Sequence, residues 1–331
     1  MKRPSPRRTF LGGLAAVVCG VLPRQAMTQT SEFPRRPVRI IVPYGAGGGS
    51  DAIARAIAPY LAQKLGQPVI VDNRPGAIGT IGSSAVAHSA ADGYTLLLGS
   101  ADSQSIAPHV MRKAPYDANR DFTSIASLGV TPLALMVHAS HPARTFGQFV
   151  QLAREAKTPL AYGSWGIGSS GQITVEALKQ ATRIELTHVP YNSTAPLMQA
   201  QLAREIECAV IPVLVAEQHV RTGTVRFLAI NAPDRLADYP EVPVIRELGV
   251  ARLGDVSPWL GFLGPAGMPA EIVDKLNAAF GSAMAEPQVV EAMRRMSIVL
   301  QPMPAAKFQQ FTQAEYERWG RYIRSARIQL D

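Results

Sequence analysis

Val38-Arg39-Ile40-Ile41-Val42-Pro43-Tyr44-Gly45-Ala46-Gly47-Gly48-Gly49-Ser50-Asp51 is the stretch on which the fold turns. Its first five residues are a β-rich run that Pro43 ends. A glycine-rich loop follows. Ser50-Asp51 then offers an N-cap to a helix whose Ile53, Ile57, Leu61 and Leu65 recur every four residues. Pro59 falls inside that helix and should kink it or leave one bond unmade. Pro68 to Val71 reads as the next strand, Gly76, Gly79 and Gly82 lead into a second helix, and Tyr94 to Leu98 is a third strand. The order β-α-β-α-β predicts a parallel sheet covered by helices on both faces.

Outward from there the pattern restarts. The uncharged run from Phe122 to Val137, broken by Ser, Thr and Pro132, reads as buried strands. After a break around 130–142, a helix ends over Ala153 to Lys157, Leu160 to Tyr162 is a strand, and Gly163 to Gly171 is a second Gly/Ser-rich loop before a helix from about Gln172. Strands at Leu186 to Val189, Ile206 to Ile211 and Val225 to Ile230 alternate with helices. A mainly helical section starts near Ser257 and ends in an amphipathic stretch from Ala305 to about Arg327. Two α/β units with a helical tail are expected, as a length of 331 residues also suggests.

Composition excludes several classes. Apolar residues make up 47% and charged residues 18%, too apolar for a disordered chain. The 26 prolines are scattered singly, so they end short elements and form no low-complexity linker. The net charge of +8 suggests nucleic acid until its position is examined. Lys2, Arg3, Arg7, Arg8 and Arg24 carry most of it, and without them 28 basic side chains face 25 acidic ones. No basic stripe interleaved with aromatics remains, so nucleic acid is not an expected partner.

Residues 1–30 read as a targeting segment. Phe10 to Leu22 has no charge and no strongly polar side chain, the length of a signal core and short of a ~20-residue membrane span. Arg7-Arg8-Thr9-Phe10-Leu11 before it matches a twin-arginine export motif, with cleavage expected near residues 26–30 and the mature protein periplasmic. Val18 before Cys19 argues against lipidation. Cleavage leaves Cys208 as the single cysteine, so no internal disulfide is expected.

The loops at 44–51 and 163–172 each leave a strand and open a helix. Free backbone N–H groups at the positive end of a helix dipole make such a place an anion site. Each contributes ~0.3–2 kcal/mol. Two such loops facing each other across a cleft, with hydroxyl donors added, can approach the ~8 kcal/mol of a micromolar site. The glycines also have a plain reading, tight turns and close packing. A rival reading is dinucleotide binding: Gly47-x-Gly49-x-x-Ala52 opens a helix, and Asp72 ends the next strand. Against it, Asp51 puts a negative charge where a pyrophosphate would sit, and the loop is longer than that fingerprint requires.

Other catalytic signals are poor. No G-x-S-x-G centres on Ser164, Ser169 or Ser170. His138 and His141 lack a third ligand, Cys208 lies in an apolar strand, and Asp117, Arg120 and Asp121 read as an exposed turn. Trp259 suits either a ligand lid or a packed hinge aromatic.

Several segments together resemble the Bug-type extracytoplasmic solute receptors, the substrate-binding proteins of tripartite tricarboxylate transporters. They are Ile41 to Tyr44 with Gly47-Gly48 and Ser50-Asp51; Asp72 to Ala77 with Gly79 and Ile81-Gly82; Asp92 to Leu97; Tyr162 to Ser164; His188 to Tyr191; and Trp259 with Gly261, Pro265 to Gly267 and Pro269. The resemblance implies an α/β, two-domain periplasmic-binding-protein (Venus flytrap) fold with largely parallel sheets and two crossover hinge strands. It places crossovers near 128–138 and 256–264, with residues 34–136 plus 260–331 as domain 1 and 137–259 as domain 2. It implies no catalysis and no cofactor. A monomeric receptor would close over a small organic carboxylate and deliver it to a membrane permease. The ligand carboxylate would lie against Tyr44, Gly47, Gly48 and Ser50, and meet Ser164, Ser169 and Ser170 from the other side. Ser100, Ala101, Tyr191 and Thr194 would lie nearby. The alternative is an exported oxidoreductase binding NAD or flavin at the 45–52 loop.

Departures from the family pattern suggest the ligand's character. Trp165 and Ile167 stand where the family has small or polar residues, Gln172 replaces a His, and Ile211-Pro212 replaces an Asp-Asn pair with Glu207 before it. Unpaired buried charge costs ~1–3 kcal/mol or more. A pocket lined by Trp165, Ile167 and Ile211 therefore favours one carboxylate on an apolar or aromatic body. The competing reading buries Trp165 and Ile211 in the domain core.

Overall fold

The computed structural model describes Met1, residues 33–249 and residues 258–326. The chain divides into two units, Met1–Glu32 and Phe33–Asp331. The twin-arginine segment and its cleavage region lie outside the described residues, as do residues 250–257.

Strand β1 (Val38–Val42) is the centre of the first half. Val38, Ile40 and Val42 pack with Ile53, Ile57 and Leu61 of helix α1 (Gly49–Leu65), while Ile41 joins Val86 of α2 (Thr80–Ala87) in a different cluster. Both faces are covered, which is why Ile40, Ile41 and Val42 follow one another without alternation, while Arg39 reaches the surface to pair with Asp72. Pro59 is accommodated inside α1 on its exposed face, so the carbonyl of Arg55, which loses its partner, is left towards solvent. The expected N-cap at Ser50-Asp51 is corrected: Gly48 caps, because the helix already starts at Gly49.

Strands β2 (Val69–Asn73) and β3 (Thr95–Ser100) flank β1 in parallel. A single turn, α3 (Ala107–Val110), precedes β4 (Phe122–Val130), and Thr131-Pro132 carries the chain into β5 (Leu133–His138) of a second sheet. There the motif repeats through α4 (Phe146–Glu155), β6 (Leu160–Ser164), α5 (Ser170–Thr182), β7 (Leu186–Pro190), α6 (Thr194–Ala203), β8 (Cys208–Pro212), α7 (Val213–Arg221) and β9 (Val225–Asn231). The chain then returns to the first sheet as β10 (Trp259–Pro265), followed by α8 (Ala270–Met284), α9 (Pro287–Arg295), β11 (Val299–Leu300) and α10 (Ala305–Ala326).

The sheet orders are β11-β4-β10-β3-β1-β2 and β7-β6-β8-β5-β9. Each sheet inserts the strand arriving from the other half, β10 or β5, between its third and fourth strands and antiparallel to both. The expectation of largely parallel sheets is corrected to mixed ones, because a strand that crosses over must run back against those it joins. The crossings touch: Thr131 N–H donates to the Pro258 carbonyl at 2.9 Å.

Trp259 opens β10 as a packed aromatic, its ring edge-on to Phe308 and Phe311 of α10 and its indole N–H donating to Ser105 Oγ. Helix α10 lies along β4 and reaches α5 in the second half.

Candidate ligand-binding site

The first wall of the site stands at the carboxyl ends of β1 and β3, where ligands of open α/β sheets bind. Tyr44 leaves β1, and its phenol lies 2.7 Å from Ser100 Oγ at the end of β3. Burial, and then the charge of Asp102, push the Tyr44 pKa well above its usual value, so the phenol stays protonated. Gly47 turns the loop with φ +77°, a conformation open to glycine at no steric cost. Its N–H is already used, donating to Asp51 Oδ2 at 2.9 Å, and Gly48 N–H donates to the Gly45 carbonyl. The donors left to an anion are those at the head of α1, from Gly49 and Ser50, which no helical carbonyl can reach. Asp51 is buried. Burial would raise its pKa, but the Arg55 guanidinium 3.0 Å away and the Gly47 N–H hold it below the ordinary carboxylate range.

The second wall is the loop between β6 and α5. Ser169 caps α5, its hydroxyl accepting from Gln172 N–H and donating to the Gly166 carbonyl. Gln172 Oε1 accepts from Gly168 N–H at 2.6 Å. Ser164 is buried beneath, its hydroxyl donating to Gly166 O and 2.7 Å from His188 Nε2. These groups shape the loop and spend their hydrogen bonds within it or, for Ser164, also on His188 of β7. Trp165 lies flat on the first turn of α5; a Cβ on Gly171 would come within 2.5 Å of its ring.

The walls meet through Asp102, a residue the sequence reading did not single out. It follows β3 and Ala101 in the first half, yet its carboxylate sits on the head of α5 in the second. Ser170 N–H donates to Oδ1 at 3.0 Å and Trp165 Nε1–H to Oδ2 at 2.9 Å. Only 7% of Asp102 is exposed. Burial pushes its pKa up, while the donors pull it back down. Gly49 packs closely on Leu214 of α7 across the same gap: a Cβ there would lie only 3.2 Å from the leucine side chain. One sequence signal for Asp102 existed: it is the single acidic residue between Asp92 and Asp117, immediately after a strand.

The other expected residues fall in different places. Ser100 and Ala101 are buried beside Tyr44 and Asp102. Tyr191 is half-buried, with its N–H on the Ser164 carbonyl, and Thr194 heads α6. Ile167 is 49% exposed on the loop. Ile211 is fully buried among Ala134, Leu197 and Val213, so it belongs to the core of the second half. Glu207 precedes β8, at the end remote from the loops, and faces His141 at 3.7 Å. Asp72, the residue a dinucleotide ribose would need, is ion-paired with Arg39 and Arg74. Among the described residues no three His, Cys, Asp or Glu side chains gather for a metal, and no helix is long and apolar enough to cross a membrane.

A family model described as the tripartite tricarboxylate transporter family receptor matches residues 53–328. The chain belongs to this receptor family. BugT of Bordetella pertussis is 30% identical to it, covering 92% of this chain and 94% of BugT. The structure of the periplasmic binding protein BugD superposes with a TM-score of 0.82 at 26% identity, covering 90% of this chain and 99% of BugD. A Rhodopseudomonas palustris protein solved with adipate gives a TM-score of 0.83 at 29% identity over 90% of this chain and 99% of its own. MatC from the same organism, with bound malate, gives 0.80 at 31% identity over 88% and 100%. Receptors of this family bind solutes and are not enzymes, and the two-sheet α/β architecture is that of periplasmic binding proteins.

Proposed function

We propose that this receptor captures a small organic carboxylate in the cleft between its two sheets and delivers it to a permease of the tripartite tricarboxylate type. The mature protein would work in the periplasm after export on its N-terminal signal. The observation that carries the reading is that the heads of α1 and α5 are brought to one gap, with Tyr44, Ser100, Asp102 and Trp165 between them. The ligand carboxylate takes the free N–H groups of Gly49 and Ser50, the Ser50 hydroxyl and the Tyr44 phenol. Trp165 and Leu214 supply an apolar wall, which favours an apolar or aromatic body. The relatives solved with adipate and malate support a carboxylate as the ligand class. Closure is selected by ligand contacts made to both halves at once.

Thermal melting against citrate, succinate, aspartate, benzoate, nicotinate, branched-chain acids and NAD tests this. A ligand at a hundred times its Kd adds ~2.7 kcal/mol, which raises the midpoint by roughly 5 °C in a chain this long. A rise with one or more carboxylates supports the receptor reading. A rise with NAD alone overturns it.

A further inference from the structure

We propose that Asp102 stands in for a second ligand carboxylate and restricts this receptor to ligands that carry one. The inference rests on the carboxylate-receptor reading above and names the substrate class within it.

The head of α5 is built to hold a carboxylate: separate donors, the Ser170 N–H and the Trp165 indole, engage its two oxygens at 3.0 and 2.9 Å. A carboxylate is already there, and it comes from the opposite half of the protein. Every hydrogen-bond partner of Asp102 is a donor, and among the described residues no cationic side chain pairs with it. Both of its oxygens accept from N–H donors, the arrangement of an ionised carboxylate, and the group lies near the Tyr44 phenol. A ligand with two carboxylates would find the α5 donors occupied and a like charge held at close range in a water-poor gap. A ligand with one carboxylate needs only the head of α1, and its body lies along Trp165 and Leu214. The same geometry ties the head of α5 to the turn that follows β3. Adipate and malate, found in the two Rhodopseudomonas palustris relatives, each carry two carboxylates. On this assignment the chain differs from those relatives in its ligand class.

Calorimetric titration of the purified protein with matched pairs, hexanoate against adipate and benzoate against phthalate, tests the assignment. The wild type is expected to bind the single acid of at least one pair tenfold or more tightly than its diacid. In Asp102→Ala the diacid should gain at least tenfold, because the α5 seat is vacated and the charge removed. Asp102→Asn, which removes the charge but keeps the seat filled, should relax the discrimination by less than Asp102→Ala, and a melting curve for each variant confirms folding. A wild type that binds diacids as tightly as single acids overturns the role of Asp102 and leaves the receptor reading standing. So do folded variants that keep the wild-type ratio. Silence toward every acid in wild type and folded variants alike overturns both.

Discussion

Gly171 lets the Trp165 ring rest on the first turn of α5, where the indole N–H meets Asp102. Gly171→Ala places a methyl 2.5 Å from that ring and should push the indole off Asp102. Trp165→Phe removes the same bond and keeps most of the ring. A hydrogen bond to a charged partner contributes ~1.5–3 kcal/mol, so each variant should melt several degrees below wild type. An unchanged midpoint in both would show that the bond does not hold the halves together. Trp165 stands out in the sequence as a large aromatic in a Gly/Ser loop. Its partner did not, because an acid next to an expected anion site reads as a misfit, and local pattern cannot show that it crosses to the other sheet. Ile211 shows the converse: an apolar residue at the end of a strand can face either way, and here it faces the core.

At the scale of the element, the loops work as caps before they work as donors. Ser169→Ala removes the hydroxyl that accepts from Gln172 N–H and should cost about 1 kcal/mol. A melting curve lower by roughly 2–4 °C checks it. Asp51→Ala frees the Gly47 N–H and unpairs Arg55, and should weaken carboxylate binding by loosening the loop that aims the head of α1. Calorimetric affinity that is unchanged in Asp51→Ala would contradict that role. Strands β1 and β3 were legible because a strand covered on both faces is rich in apolar residues, Ile40 to Val42 and Leu96 to Leu98 here. The antiparallel setting of β5 and β10 was not, since direction is decided by which sheet a strand joins and leaves no mark on its own composition. The cap of α1 was missed because glycine, with no side chain to cap with, began the helix before Ser50.

Across the whole molecule, two α/β halves exchange one strand each, and their crossings meet at Thr131 and Pro258. Such an arrangement allows the halves to close on a ligand while each keeps its own sheet. Stability should also carry a pH signature. Burial holds His109, His141 and His188 below their ordinary value of 6.5. The unfolded chain therefore takes up those protons first, and the stabilisation present above pH 6.5 is lost as the pH falls through the depressed values. Asp102, whose pKa burial raises above 3.8, acts in the opposite sense. The melting midpoint should drop between about pH 7.5 and 5.5; a flat or rising profile there would count against buried neutral histidines.

Of the three tryptophans, Trp259 is 1% exposed and Trp319 is fully buried, which leaves Trp165 to report on the cleft. Tryptophan emission should therefore be recorded while the purified protein is titrated with hexanoate, benzoate, succinate and NAD, in wild type and in Trp165→Phe. The account predicts a saturable change with at least one of the carboxylates in wild type, and its loss in Trp165→Phe. A response to NAD alone, or one that persists undiminished in Trp165→Phe, would contradict a carboxylate held between the two halves.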